Sequence, residues 1–85
     1  MTRLDKAKAR LKSEPKDYTY TEAKAIMNKL GFTEDNKGKT SGSRIKFIRP
    51  RDGKRFLMHK PHPSDVLRYE QVLELAKYLE RIGEL

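Results

Sequence analysis

The chain has no cysteine. That excludes disulfides, thiolate zinc sites and a cysteine nucleophile, and it suits a reducing compartment. Long apolar runs are missing too. No window approaches the ~20 apolar residues of a membrane helix, and the opening Met-Thr-Arg-Leu-Asp-Lys-Ala-Lys-Ala-Arg is too charged for a signal peptide. The expected protein is cytoplasmic, with no membrane contact. Acidic residues are scarce in one place. Within residues 36–63 only Asp52 is acidic, against nine Lys/Arg, while the rest of the chain holds eleven of each sign. The formal charge of +8 is therefore local, and both histidines, His59 and His62, lie inside the same stretch. A focused positive surface with imidazoles and flexible Gly/Ser points to a phosphate-bearing partner, nucleic acid first.

The residues that are present fit one small domain. A chain of 85 residues buries only roughly 60% of its unfolded surface, which leaves little room for a deep pocket. Function is expected on a surface. Leu4, Ala7 and Leu11 share a face at helical spacing, so residues 3–13 read as a short, highly charged helix that ends at Ser13-Glu14-Pro15. Residues 1–16 form this charged helix or arm, and residues 17–85 the domain proper. Thr19 with Glu22 predicts a capping box. Ala23, Ile26, Met27 and Leu30 make one apolar stripe, and Gly31 stands where a left-handed cap is expected.

Beyond Gly31 the period changes. Phe32 to Asn36 can be a short edge strand, and residues 37–43 are a Gly/Ser/Lys loop. From Arg44 the pattern alternates, with Ile45 and Phe47 on one face and Arg44, Lys46 and Ile48 on the other. Pro50-Arg51-Asp52-Gly53 signals a turn, after which Phe56 and Met58 alternate against Arg55, Leu57 and His59. If Arg49 pairs with Lys54, then Phe47 faces Phe56, Ile45 faces Met58, and all four apolar side chains enter the core together. The same register sets Arg44 opposite His59 on the open face. Lys60-Pro61-His62-Pro63 cannot continue a central strand. Ser64 or Asp65 can cap the last element, an amphipathic helix over Val72, Leu73, Leu75, Ala76, Leu79 and Ile82 that Gly83 stops. The expected fold is α+β: helix, helix, three strands of an antiparallel sheet, helix, with the helices on one face.

Most catalytic constellations are absent. His59-x-x-His62 has no nearby Cys or Glu to complete a zinc site. Gly38-Lys39-Thr40 lacks Walker spacing, and Ser41 and Ser43 lack a Ser-His-Asp partnership. Tyr18, Tyr20, Tyr69 and Tyr78 are scattered over helices, not paired on a sheet face as in a stacking platform. Phosphate chemistry survives. Metal-free RNA cleavage needs a group to take the 2′-hydroxyl proton, a proton for the leaving oxygen, and positive charge beside phosphorus. Histidine as a residue type suits proton transfer near neutral pH, which makes His59 the candidate acid/base; Arg44 and Lys46 supply charge, and Gly42 and Ser43 let backbone N–H groups approach a phosphate. Lys37, Lys39, Arg55, Lys60 and His62 complete the expected RNA contacts. A solvated basic face that binds RNA without cutting it, or that docks an acidic protein, uses the same residues.

These motifs resemble a family. Gly31-Phe32 closing a helix, Gly42-Ser43-Arg44-x-Lys46-Phe47, a Pro-x-Asp-Gly hairpin, Leu57-x-His59-Lys60-Pro61-His62-Pro63 and a final helix ending Ile82-Gly83 are similar to the HicA toxins of type II toxin–antitoxin modules. The resemblance covers about residues 18–83. It implies a fold similar to the double-stranded RNA-binding domain. It also implies endoribonuclease (mRNA interferase) activity without a metal or other cofactor, and neutralisation by a HicB-type antitoxin. In much of that family the Gly-Ser is followed by a histidine treated as catalytic; here the position is Arg44. Three roles are open: His59 takes over acid/base duty from across the hairpin, Arg44 supplies only binding and charge to a slower enzyme, or the chain binds without cutting. The first is the expectation taken forward.

Overall fold

The computed structural model describes residues 2–35, 44–61 and 63–85. Helix α1 spans Arg3–Lys12 and α2 Tyr20–Lys29; strands β1 Thr33–Asp35, β2 Arg44–Arg49 and β3 Lys54–His59 come next, then α3 Tyr69–Arg81. The fold is α+β in the expected order, with one antiparallel sheet ordered β1-β2-β3. Among the described residues no helix is long and apolar enough to cross a membrane.

The ends of α2 and α3 have identifiable causes. Thr19 caps α2 in the expected box: its hydroxyl accepts from Glu22 N–H at 3.1 Å, and Glu22 accepts from Thr19 N–H at 3.1 Å. The other two orphan donors of that first turn go to a distant residue. Tyr20 N–H donates to the Asp65 carbonyl at 2.7 Å and Thr21 N–H to the Asp65 carboxylate at 3.1 Å. Asp65 therefore caps α2, not the helix after it. Those hydroxyl and backbone bonds from Thr21 hold its carboxyl below the usual carboxylate range. Helix α3 starts later than Ser64 or Asp65 would set it: its cap is Arg68, whose N–H donates to the Gln71 side chain at 3.1 Å.

Two helices end alike. Gly31, at φ 95°, lets Phe32 N–H reach the Met27 carbonyl at 2.9 Å and Gly31 N–H the Asn28 carbonyl at 3.1 Å. At Gly83, φ 82°, Glu84 N–H reaches the Leu79 carbonyl at 2.8 Å and Gly83 N–H the Glu80 carbonyl at 3.0 Å. Both are Schellman motifs, which require the left-handed backbone that glycine adopts without strain.

Alternation alone allows this register or one shifted by two, and the structure has the first: Arg44 pairs with His59, Ile45 with Met58, Phe47 with Phe56 and Arg49 with Lys54. Phe47 and Met58 are buried with Tyr18, Ile26, Phe32, Leu75 and Leu79. Ile45 and Phe56 are only half-buried, at the margin of that core, so two of the four expected core residues lie at its edge. Helix α1 docks. Leu11 is fully buried, and Arg10 Nε and Nη2 both donate to the Glu22 carboxylate.

Arg49 corrects the charge count. It has the parity of Ile45 and Phe47 and points inward, with 3% of its surface exposed. Asp52, Glu84 and the Leu30 carbonyl accept its hydrogen bonds, and its guanidinium lies 4.9 Å from the centre of the Phe32 ring. A buried charge is tolerated only with such partners.

Candidate nucleic-acid interface

Period-2 alternation puts Arg44, Lys46 and Ile48 of β2 beside Arg55, Leu57 and His59 of β3 on the sheet face away from the core. Arg44, Arg55, Leu57 and His59 are exposed, while Lys46 and Ile48 are half-buried. Leu57 keeps 52% of its surface in solvent and faces Lys46 across the strands. The face is thus cationic with an apolar centre.

Its cations are not equal. Lys46 Nζ lies 3.5 Å from the Asp35 carboxylate on β1, which offsets part of its field. Arg51, at the turn, reaches Glu84 at 3.4 Å. Arg49 contributes nothing to the face, because Asp52 and Glu84 neutralise it inside. The Arg49 hydrogen bonds hold the Asp52 carboxyl below its ordinary range, and the same bonds, from Asp52 first, raise the guanidinium further from deprotonation.

Among the sequence candidates, Arg44 and His59 are brought together as direct cross-strand partners at the end of the hairpin away from its turn. Arg55 shares their face. Lys60 lies past the end of β3, its ammonium 5.6 Å from the centre of the Tyr20 ring, so it borders the site from the side. Lys37, Lys39, Gly42, Ser43 and His62 lie outside the described residues. The tyrosines supply no stacking pair on this face: Tyr18 and Tyr20 are buried. Burial lifts the Tyr18 hydroxyl to about 12, and burial with a hydrogen bond to Glu34 pushes Tyr20 up as well.

Two features that sequence reasoning missed support the site. Gln71 Nε2 donates to the His59 carbonyl at 2.9 Å, while its Oε1 accepts from Arg68 N–H. One amide thereby caps α3 and holds the end of β3. Beside it opens a cleft of ≈ 520 Å³, bordered by His59 and by Val66, which is 44% exposed. Only the capping-type spacing of Arg68 and Gln71 could have hinted at the first. The cleft has no periodic signal: its lining runs from His59 to Gln71, and the fold sets how the end of β3 and the first turn of α3 face each other.

The arrangement offers a histidine and an arginine as cross-strand neighbours on an open cationic surface. It can attract a polyanion, hold a phosphate against fixed positive charge, and exchange a proton at one edge. Comparison with protein-family models, with curated proteins and with solved structures found no match.

Proposed function

We propose that this chain is a HicA-like toxin, an mRNA interferase that works in the cytoplasm, cleaves RNA without a metal and is neutralised by a HicB-type antitoxin. The observation that carries the reading is the pairing of Arg44 with His59 on the exposed end of the basic hairpin. His59 takes the 2′-hydroxyl proton. The freed oxygen attacks the adjacent phosphorus as the bond to the 5′ oxygen breaks, and that oxygen leaves with a proton from water. Arg44 faces the charge that builds on the phosphoryl oxygens. The products are a 2′,3′-cyclic phosphate and a 5′-hydroxyl.

The exposed Leu57 at the centre of the cationic face supports the second half of the proposal. An acidic antitoxin could set an apolar anchor there and cover Arg44 and His59 together. The test is purified protein incubated with RNA and a chelator. Wild type should generate new ends bearing cyclic phosphate, with His59→Ala inactive yet folded and Arg44→Ala slower. Undiminished cleavage by His59→Ala rejects the histidine assignment. Salt-dependent binding with no new ends in wild type leaves a non-catalytic RNA-binding module.

A further inference from the structure

We propose that the cleft beside His59 is a base pocket that selects guanine in single-stranded RNA next to the scissile phosphate. The inference rests on the RNA-cleaving reading above and assigns its sequence preference. At ≈ 520 Å³ the cleft falls within the roughly 300–1,000 Å³ of small-ligand sites. Pro61 and the exposed Val66 provide apolar wall, the kind of surface an unstacked base covers. Lys60 and Arg68 stand at the same cleft as cations for the flanking phosphates. Gln71 is a fixed wall and not a reader, because both ends of its amide are already engaged by Arg68 N–H and the His59 carbonyl.

Glu70 decides the ligand. It lines the cleft, is exposed, and makes no ion pair with any described residue. A carboxylate beside an RNA-binding surface repels phosphate, so it favours binding only where donors meet it. Guanine presents N1–H and the N2 amine side by side, matching two carboxylate oxygens. Adenine and cytosine each place an acceptor ring nitrogen beside their amine, which the carboxylate repels. Uracil has one N–H between two carbonyls. Guanine is the one base that satisfies Glu70 with two donors.

The test uses heptanucleotides of six adenosines around a variable centre, G, inosine, A, C or U, on a 2′-fluoro backbone that lacks the nucleophile. Binding is read by fluorescence anisotropy at fixed salt. Wild type should hold the G heptamer on the order of tenfold tighter than A, C or U, with inosine, which lacks the N2 amine, in between. Glu70→Gln should bring all five within about twofold of one another while affinity for the A heptamer is kept or rises. Binding that does not discriminate, or discrimination that survives in Glu70→Gln, overturns the inference and leaves the RNA reading standing. No binding to any of the five overturns both.

Discussion

Arg49 Nη1 donates to Glu84 Oε2 at 2.6 Å, joining the C-terminal ends of α2 and α3 to the hairpin. The same guanidinium donates to the Leu30 carbonyl at 3.2 Å and to Asp52 at 2.8 and 3.1 Å. The two Schellman motifs make the join possible. One turns the chain so that Phe32 lies under Arg49, and the other delivers Glu84 to it. A Cβ on Gly31 would sit 3.3 Å from Arg49 Cδ, so the cap and the ion pair share one tight space. A residue that reads as surface charge is a clamp between elements.

Salt dependence should separate the clamp from the interface. Each phosphate contact adds ~0.7 to the slope of log affinity against log salt for single-stranded RNA. Arg55→Ala is expected to lower the slope by about that amount, and Lys46→Ala by less, because Asp35 already offsets its charge. Arg49→Met should leave the slope unchanged. A drop for Arg49→Met equal to that for Arg55→Ala would show that its charge reaches the ligand after all.

Stability should rank the same residues differently. Glu84→Ala leaves a buried guanidinium N–H without its acceptor, at a cost of about 1–3 kcal/mol. Arg49→Met removes the charge that needed partners, and Glu84, one-fifth exposed, can turn to water. Its cost should therefore be smaller. Urea denaturation of the two variants checks the order; if Arg49→Met is the weaker, packing and not charge pairing dominates at that site.

The hairpin was legible in the sequence because one parity of each strand is apolar, so only registers that keep Phe47, Ile45, Phe56 and Met58 together suit a half-buried sheet. That same logic put Arg44 and His59 on one face, and the observed register makes them direct partners. Arg49 was legible by parity and misleading by type: period 2 turns it inward, while its charge argues for solvent. Its burial depends on Glu84, 35 residues away, and no local pattern encodes that pairing. Asp65 misled for a similar reason. It stands close before α3 as a cap would, yet its carboxylate serves Thr21, 44 residues away. The cleft was invisible because the end of β3, the segment before α3 and the first turn of α3 meet only in the fold.

Acid should loosen α1 before the core. The Arg10 hydrogen bonds hold the Glu22 carboxyl below its usual range. A carboxyl depressed in the folded state contributes fully above its unfolded value of ~4.3 and loses that contribution as pH falls through the lower folded value. Arg10 stays charged throughout, so the change belongs to Glu22. Amide resonances of α1 followed by NMR should report undocking below about pH 4. Glu22→Gln, which can still accept from Thr19 N–H, should flatten that response; a pH response unaltered in this variant assigns the event to another group.

Gln71 should matter to cleavage without touching RNA chemistry. Its Nε2 fixes the His59 carbonyl, and a displacement of about 1 Å in a reacting group can cost on the order of 10² in rate. Gln71→Glu keeps an oxygen for Arg68 N–H, and so keeps the helix cap, but turns a donor at His59 into a repelled acceptor. The added negative charge weakens RNA binding, so the comparison belongs at saturating RNA in single turnover. There the rate should fall at least roughly tenfold, a fraction of that positional limit, with thermal unfolding little changed. If the saturated rate equals wild type, the bond from Gln71 serves the fold alone and His59 holds its place without it.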